Sequence, residues 1–173
     1  MGFRVGWVAT RNTNLEEVVE LLGLQVERAM TADDFDVGIR ALRSKEWLVV
    51  SGDGSDYQDV VTASHAEKLS KGGEAMHFWC SDTSMGATFC CYRDGKEVWS
   101  IEYDGSEGPG EPATTGILPP AWNEILAQCR KNQDADGREV DHMYDAAPTL
   151  GQALTGFRHD HFEEGNLFKL TQR

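Results

Sequence analysis

No stretch of this 173-residue chain approaches the roughly 18 consecutive apolar residues that a spanning helix needs. The opening MGFRVGWVATR lacks the apolar core of a secretion signal. Gly6 also stands where a myristoylation signal wants serine or threonine. These absences lead us to expect a cytoplasmic protein. Positive charge is scarce as well: 16 lysines and arginines face 29 aspartates and glutamates, for a formal net charge of −13. Such a field repels nucleic-acid phosphates and anionic lipid, so neither nucleic acid nor membrane is an expected partner. It speeds encounter with a basic protein. Only four cysteines occur, Cys80, Cys90, Cys91 and Cys129, with no disulfide-framework spacing. Adjacent Cys90 and Cys91 point to opposite faces of a strand, so buried free thiols in a reducing compartment are expected.

Several catalytic and ligand motifs start and then fail. Gly52-Asp53-Gly54-Ser55-Asp56-Tyr57 begins like a phosphate-binding turn, but Tyr57 takes the third glycine position. Asp53 and Asp56 would also repel a pyrophosphate. Asn132, Asp134 and Asp136, followed by Gly137, start like a calcium loop, yet Met143 stands where the closing bidentate glutamate belongs. No G-x-S-x-G elbow is present. His159 and His161 lie two residues apart, which would place them on one face of an extended segment within reach of His142. No cysteine or glutamate with characteristic zinc spacing joins them. Neither a cofactor, a resident metal nor a catalytic residue is therefore expected.

What is there is a hairpin, Gly86–Tyr103, with Asp94-Gly95 at its turn. Asp-Gly between two β-rich runs suits a two-residue type I′ turn, with positive φ at both central residues. Continued regularly from that turn, the pairing sets Arg93 opposite Lys96, Cys91 opposite Val98, Phe89 opposite Ser100 and Ala87 opposite Glu102. Tyr92, Cys90 and Thr88 would then face Glu97, Trp99 and Ile101 on the other side, with Tyr103 beyond. Both faces read as largely apolar, implying interior strands covered on both sides.

Around the hairpin the periodicities predict an α+β fold: a mostly antiparallel sheet with a central hairpin, packed by about four helices, in a single domain over 1–173. Phe3, Val5 and Trp7 alternate as a first strand. Thr13 and Glu16 form a capping-box pattern for a helix over 14–22, ended by Gly23. A short strand over 24–30 follows, whereas 31–45 is ambiguous between helix and strand. Trp47–Ser51 reads as a buried strand, 57–70 as a helix closed by Gly72-Gly73, and Ala75–Cys80 as a strand. The Gly- and Pro-rich 104–116 reads as an exposed acidic loop. Pro119-Pro120 opens a helix carrying Trp122, Ile125, Leu126 and Cys129 at i, i+3, i+4, i+7. Then come a polar stretch over 131–139, an edge strand at Val140–Tyr144, a short helix from Pro148 stopped by Gly156, and a last strand at Leu167–Leu170.

The segments MGFRVGW, YRDGKEVWSIEYD and ALTGFRHD resemble a group of small bacterial proteins, with Tyr92 standing where that group has tryptophan. The resemblance covers the chain only in these islands. It implies a bacterial, single-domain α+β protein and carries no activity, so no residue role follows from it.

The functional expectation is a non-enzymatic acidic protein that binds a basic protein partner, as an immunity protein neutralises a bacterial toxin. The expected contacts are the loops 52–59, 104–112 and 131–141, with Asp53, Asp56, Asp104, Glu107, Glu111, Asp134 and Asp136. The polar cluster Arg158, His159 and His161 joins them; Arg158 has a structural alternative, pairing with Asp160 or the end of the preceding helix. The second reading is a small enzyme or ligand-binding module whose pocket gathers His77, Glu102, Arg158, His159 and His161. Convergence of those five side chains in one cavity is its requirement.

Overall fold

The structure is a computed structural model that describes residues 4–11, 13–30, 38–54, 60–161 and 167–173. Among these residues nine strands form one sheet, antiparallel at every pairing, and four helices pack on it. In chain order the elements are β1 (Arg4–Thr10), α1 (Leu15–Leu21), β2 (Leu24–Ala29), β3 (Ile39–Ser44), β4 (Trp47–Asp53), α2 (Ala63–Leu69), β5 (Glu74–Ser81), β6 (Gly86–Arg93), β7 (Lys96–Asp104), β8 (Ala113–Gly116), α3 (Ala121–Asp136), α4 (Ala146–Thr155) and β9 (Leu167–Gln172). Across the sheet the order is β2-β9-β3-β4-β1-β5-β6-β7-β8. The α+β expectation holds.

Alternation along each strand divides the apolar residues between two faces. Trp7, Phe78, Phe89 and Trp99 belong to the face covered by α3 and α4. Their rings meet at centroid distances of 5.3 Å (Trp7–Phe78), 5.4 Å (Trp7–Phe89) and 5.0 Å (Phe89–Trp99). Such pairs contribute about 0.5–1.5 kcal/mol each beyond area burial. The other face is aliphatic: Val8, Leu48, Val50 and Leu170 pack against Val18, Val19 and Leu69 from α1 and α2. All four cysteines are buried and free.

The hairpin turn is as expected, with φ of 50° at Asp94 and 74° at Gly95. Its strands are not in the expected register. Arg93 pairs with Lys96 and Tyr92 with Glu97, but Cys91 pairs with Trp99, leaving Val98 as the extra residue of a β-bulge. Every later pair is shifted by one: Phe89 opposes Ile101 and Ala87 opposes Tyr103. A one-residue slip turns a strand over. Trp99, Ile101 and Tyr103 thereby join Phe89 and Cys91 on a single apolar face, while Glu97 and Glu102 stay exposed. So β7 alternates buried and exposed rather than being covered on both sides.

Other expectations shift for local reasons. Asn14, not Thr13, caps α1, accepting from the Glu17 backbone N–H at 2.8 Å. The ambiguous 31–45 resolves in part, since Ile39–Ser44 is β3, while 31–37 lies outside the described residues. The second helix is shorter than expected, Ala63–Leu69, because Thr62 caps it with reciprocal bonds to His65. Ala113–Gly116, expected as loop, pairs with β7 as β8, and the Ser100 and Thr115 hydroxyls lie 2.7 Å apart. Helix α3 runs through the expected polar stretch to Asp136, so Asn132, Asp134 and Asp136 stand on a helix and form no calcium loop. Val140–Tyr144 is not a strand; it is a run of turns in which Asp141 Oδ1 accepts the backbone N–H groups of Met143 and Tyr144, both at 3.1 Å.

Candidate functional site

The antiparallel pairing gives the sheet two ends. Arg11, the Ser44–Trp47 turn, Glu74 and the Arg93–Lys96 turn meet at one, the hairpin end. At the other lie Arg4, Asp53, the turn between Ser81 and Gly86, and Asp104. Helix α4 begins near this second end, its entry held by turns at 142–146. An open cleft of about 530 Å3 lies there, between the β5–β6 turn, the 139–145 segment and the residues after α4. Its wall carries five carboxylates, Asp82, Glu139, Asp141, Asp145 and Asp160, against two basic side chains, Arg158 and His159.

Those two basic groups are already engaged. Arg158 Nη2 donates to Asp145 at 2.8 Å, Nε to Asp160 at 2.7 Å and Nη1 to Thr149 Oγ1 at 3.0 Å. Its side chain is only 14% exposed. Burial works against its charge, but the two aspartates outweigh burial and hold it firmly protonated. The His159 ring stacks on Phe78 at 5.7 Å, and its Nε2 lies 3.6 Å from Cys80 Sγ. Burial lowers its pKa below the usual imidazole range. The cleft's own bases therefore add little free positive charge to its carboxylates.

Two tyrosines fix two of those carboxylates. Tyr144 donates to Asp82 at 2.9 Å and Tyr103 to Asp141 at 2.6 Å. Burial raises both phenol pKa values, so each remains a donor. Cys80 beside His159 has the outline of a nucleophile and base. Yet Cys80 is wholly buried, and desolvation pushes its thiol up to about 12. A neutral buried thiol is a poor nucleophile.

The sequence-chosen residues fall in different places. Of the five side chains proposed for one pocket, Arg158 and His159 share the cleft. His77 lies on the opposite face, buried against α2, its Nε2 donating to the Val61 carbonyl at 3.2 Å. Burial lowers its pKa to about 4. Glu102 is exposed on β7, and His161 meets Gln152 Nε2 at 3.1 Å on the outside of α4. The five do not converge, because strand alternation turns His77 to the face opposite that of Phe78, against which His159 packs. The three histidines considered for a metal are apart too, with His142 held by Asp136 at 2.6 Å. Among the described residues no group of three His, Cys, Asp or Glu side chains could hold a metal ion.

The acidic loop residues are tied down more than expected. Asp53 pairs with Arg40 at 3.6 Å, and burial raises its carboxyl pKa. Asp104 accepts the Ser106 backbone N–H at 3.0 Å, which lowers its pKa. Glu111 is held by Arg130 through two bonds of 2.7 and 2.8 Å, and the Glu107 carbonyl accepts from Arg138 at 2.7 Å. Asp134 and Asp136 are exposed on α3, and Asp56 lies outside the described residues. Of the residues lining the cleft, Glu139 and Asp141 fall in the loop 131–141 that the sequence reading chose, whereas Asp82, Tyr144 and Asp145 lie outside its choices. Asp82 lies in the β5–β6 turn and Tyr144 and Asp145 at the entry of α4, so no single stretch of sequence joins them.

No protein-family model, no curated protein and no solved structure matches the chain, so its chemistry rests on its own residues. Among the described residues, no helix is long and apolar enough to cross a membrane.

Proposed function

We propose that this is a non-enzymatic, cytoplasmic, single-domain binding protein that receives a basic protein partner at the acidic end of its sheet, as an immunity protein receives a toxin. One observation carries the reading: five carboxylates surround an open cleft whose only arginine is already paired to two of them. A cationic side chain entering the cleft meets fixed acceptors without having to reorder them. The formal charge of −13 adds long-range attraction. The site keeps Glu139 and Asp141 from the loop 131–141 of the sequence reading and leaves 104–112, where Glu111 is tied to α3 through Arg130. Expression of the chain with each product of neighbouring genes tests the reading. Rescue of growth from one of them is expected, and the triple variant Asp82→Lys, Glu139→Lys, Asp141→Lys should lose that rescue while remaining folded. Rescue by the triple variant equal to that by the natural chain, or no rescue from any product, overturns it.

A further inference from the structure

The hairpin end holds a second, chemically different concavity. A groove of about 570 Å3 lies on the α3/α4 face beneath the 116–120 segment that joins β8 to α3. That size is ordinary for a small-molecule site. Its floor is apolar and comes from three strands: Met76, Cys91 and Trp99. Leu118 and Leu154 line its sides, and Ile117 stands beside it 91% exposed. No charged residue occurs between Glu111 and Glu124, so the strap over the groove is uncharged in a strongly acidic chain.

Charge appears at one end of the groove only. Arg11, Glu74 and Arg93 line it there, and the same three line a polar hollow of about 360 Å3 that opens next to it. Glu74 binds Arg93 at 2.6 Å and lies 3.9 Å from Arg11. The Arg11 guanidinium packs 4.2 Å above the Trp47 ring and pairs through Nη2 with Glu46. Its Nε is buried and has no hydrogen-bond partner. A buried donor without an acceptor asks for an explanation. The Arg11 side chain as a whole is 35% exposed and lines the groove.

We propose that the groove binds an amphiphilic carboxylate, its hydrocarbon body on Met76 and Trp99 and its carboxylate at Arg11 and Arg93. A guanidinium pairs with a carboxylate through charge-assisted, often bidentate bonds, which an alcohol cannot match. An ammonium ion would find one carboxylate in the groove lining, Glu74, already bound to Arg93. This site is separate from the acidic cleft and stands or falls independently of it.

Titration of the full chain with octanoate, octanol and octylammonium, followed by tryptophan fluorescence and calorimetry, tests the assignment. Octanoate should bind saturably, about tenfold more tightly than octanol and more tightly still than octylammonium. Arg93→Gln should weaken octanoate binding about tenfold and leave octanol unchanged. Arg93 is well exposed, so this variant does not endanger the fold. Leu118→Asn should weaken octanoate and octanol alike. No saturable octanoate binding, octylammonium binding as tight as octanoate, or octanoate binding indifferent to both substitutions overturns the proposal.

Discussion

At the hairpin end the chain is held chiefly by backbone and packing; the ion pairs there, Glu74–Arg93 and Arg11–Glu46, each have one well-exposed partner and add little. Ser70 accepts the Asp94 N–H through its carbonyl at 3.0 Å and the Gly95 N–H through its hydroxyl at 2.9 Å, locking the turn to the end of α2. Gly116 lies so close to β7 that a Cβ there would overlap the Val98 carbonyl oxygen and sit 2.9 Å from Trp99 Cα. At the acidic end the ties are side-chain ones: Arg158 to Asp145 and Asp160, Tyr144 to Asp82, Tyr103 to Asp141. One end is shaped by what cannot fit, the other by charges that need partners. The first kind of order is indifferent to pH and salt, whereas the second responds to both. An apolar groove belongs with the first, a charge-receiving cleft with the second.

The largest effect should come from breaking the hairpin end. Gly116 has φ of 70°, and Gly116→Val adds both backbone strain and a collision with β7. Overpacking and a left-handed β-branched residue together should cost about 4 kcal/mol in urea unfolding. Amide exchange at Val98–Ile101 should accelerate while Asp82 and Tyr144 keep their protection. A loss below about 1 kcal/mol would mean that the strap yields freely, removing the contrast between the ends.

A titration that strikes both ends together comes next. His77 sits mid-strand, opposite Val8 and Cys90, and burial lowers its pKa from 6.5 to about 4. Between those values the unfolded chain binds the proton and the folded chain does not. Stability is therefore fully present above pH 6.5 and falls as pH drops toward 4, by about 3 kcal/mol from this group. His65 and His159 are lowered in the same direction. Comparison with His77→Gln isolates the share of His77: the variant should lose less stability between pH 6.5 and 4 than the natural chain. Parallel slopes would assign the acid sensitivity elsewhere. Both ends should open together in exchange measurements, since the group lies between them.

Arg158→Ala tests the acidic end alone. It removes three donated bonds and leaves Asp145 and Asp160 facing each other across the cleft. The aspartates are partly solvated, so the cost should be about 2 kcal/mol rather than that of a fully buried pair. The loss should grow as pH rises toward about 4, because in the folded chain, against the burial that raises it, Arg158 lowers the carboxyl pKa of Asp160. A loss that does not change over that rise would indicate packing, not charge, as the role of Arg158.

The hairpin end was the more legible in the sequence, and the difference between the ends explains why. Asp94-Gly95 announces its turn, because few residue pairs tolerate positive φ twice in succession. Gly23 and Gly156 likewise mark where α1 and α4 stop. The bulge at Val98 carries no such mark, so a regular extension of the turn placed Trp99 and Ile101 on the wrong face. Trp99, Ile101 and Tyr103 keep their own alternation in either register, and only packing against Phe89 and α3 selects between the two. The acidic cleft was less legible still. Asp82 and Tyr144 stand 62 positions apart in sequence, and only the folded sheet brings the β5–β6 turn to the entry of α4. The sequence offers the pairing of Arg158 with Asp160 as a structural alternative and does not reveal the bond to Asp145.

Tyr103 offers the finest test, because it belongs to both kinds of order. Its ring lies in the aromatic face with a centroid 6.2 Å from that of Tyr144, while its hydroxyl reaches Asp141 at 2.6 Å. Tyr103→Phe keeps the ring and removes only the hydroxyl. Asp141 retains the Met143 and Tyr144 backbone N–H groups and has some access to water, so no charge is stranded. The expected loss is about 1 kcal/mol, the usual net worth of one hydrogen bond. If the cleft depends on fixed carboxylates, the same variant should weaken binding of a basic partner more than it weakens the fold, because Asp141 Oδ2 then loses the Tyr103 hydroxyl that orients it while Oδ1 keeps its two backbone bonds. Octanoate binding at the other end should not change. A variant that loses stability but binds the partner as tightly as before would show that the cleft needs the charge of Asp141 and not its orientation. Loss of octanoate binding as well would mean that the two ends are mechanically coupled through the aromatic face.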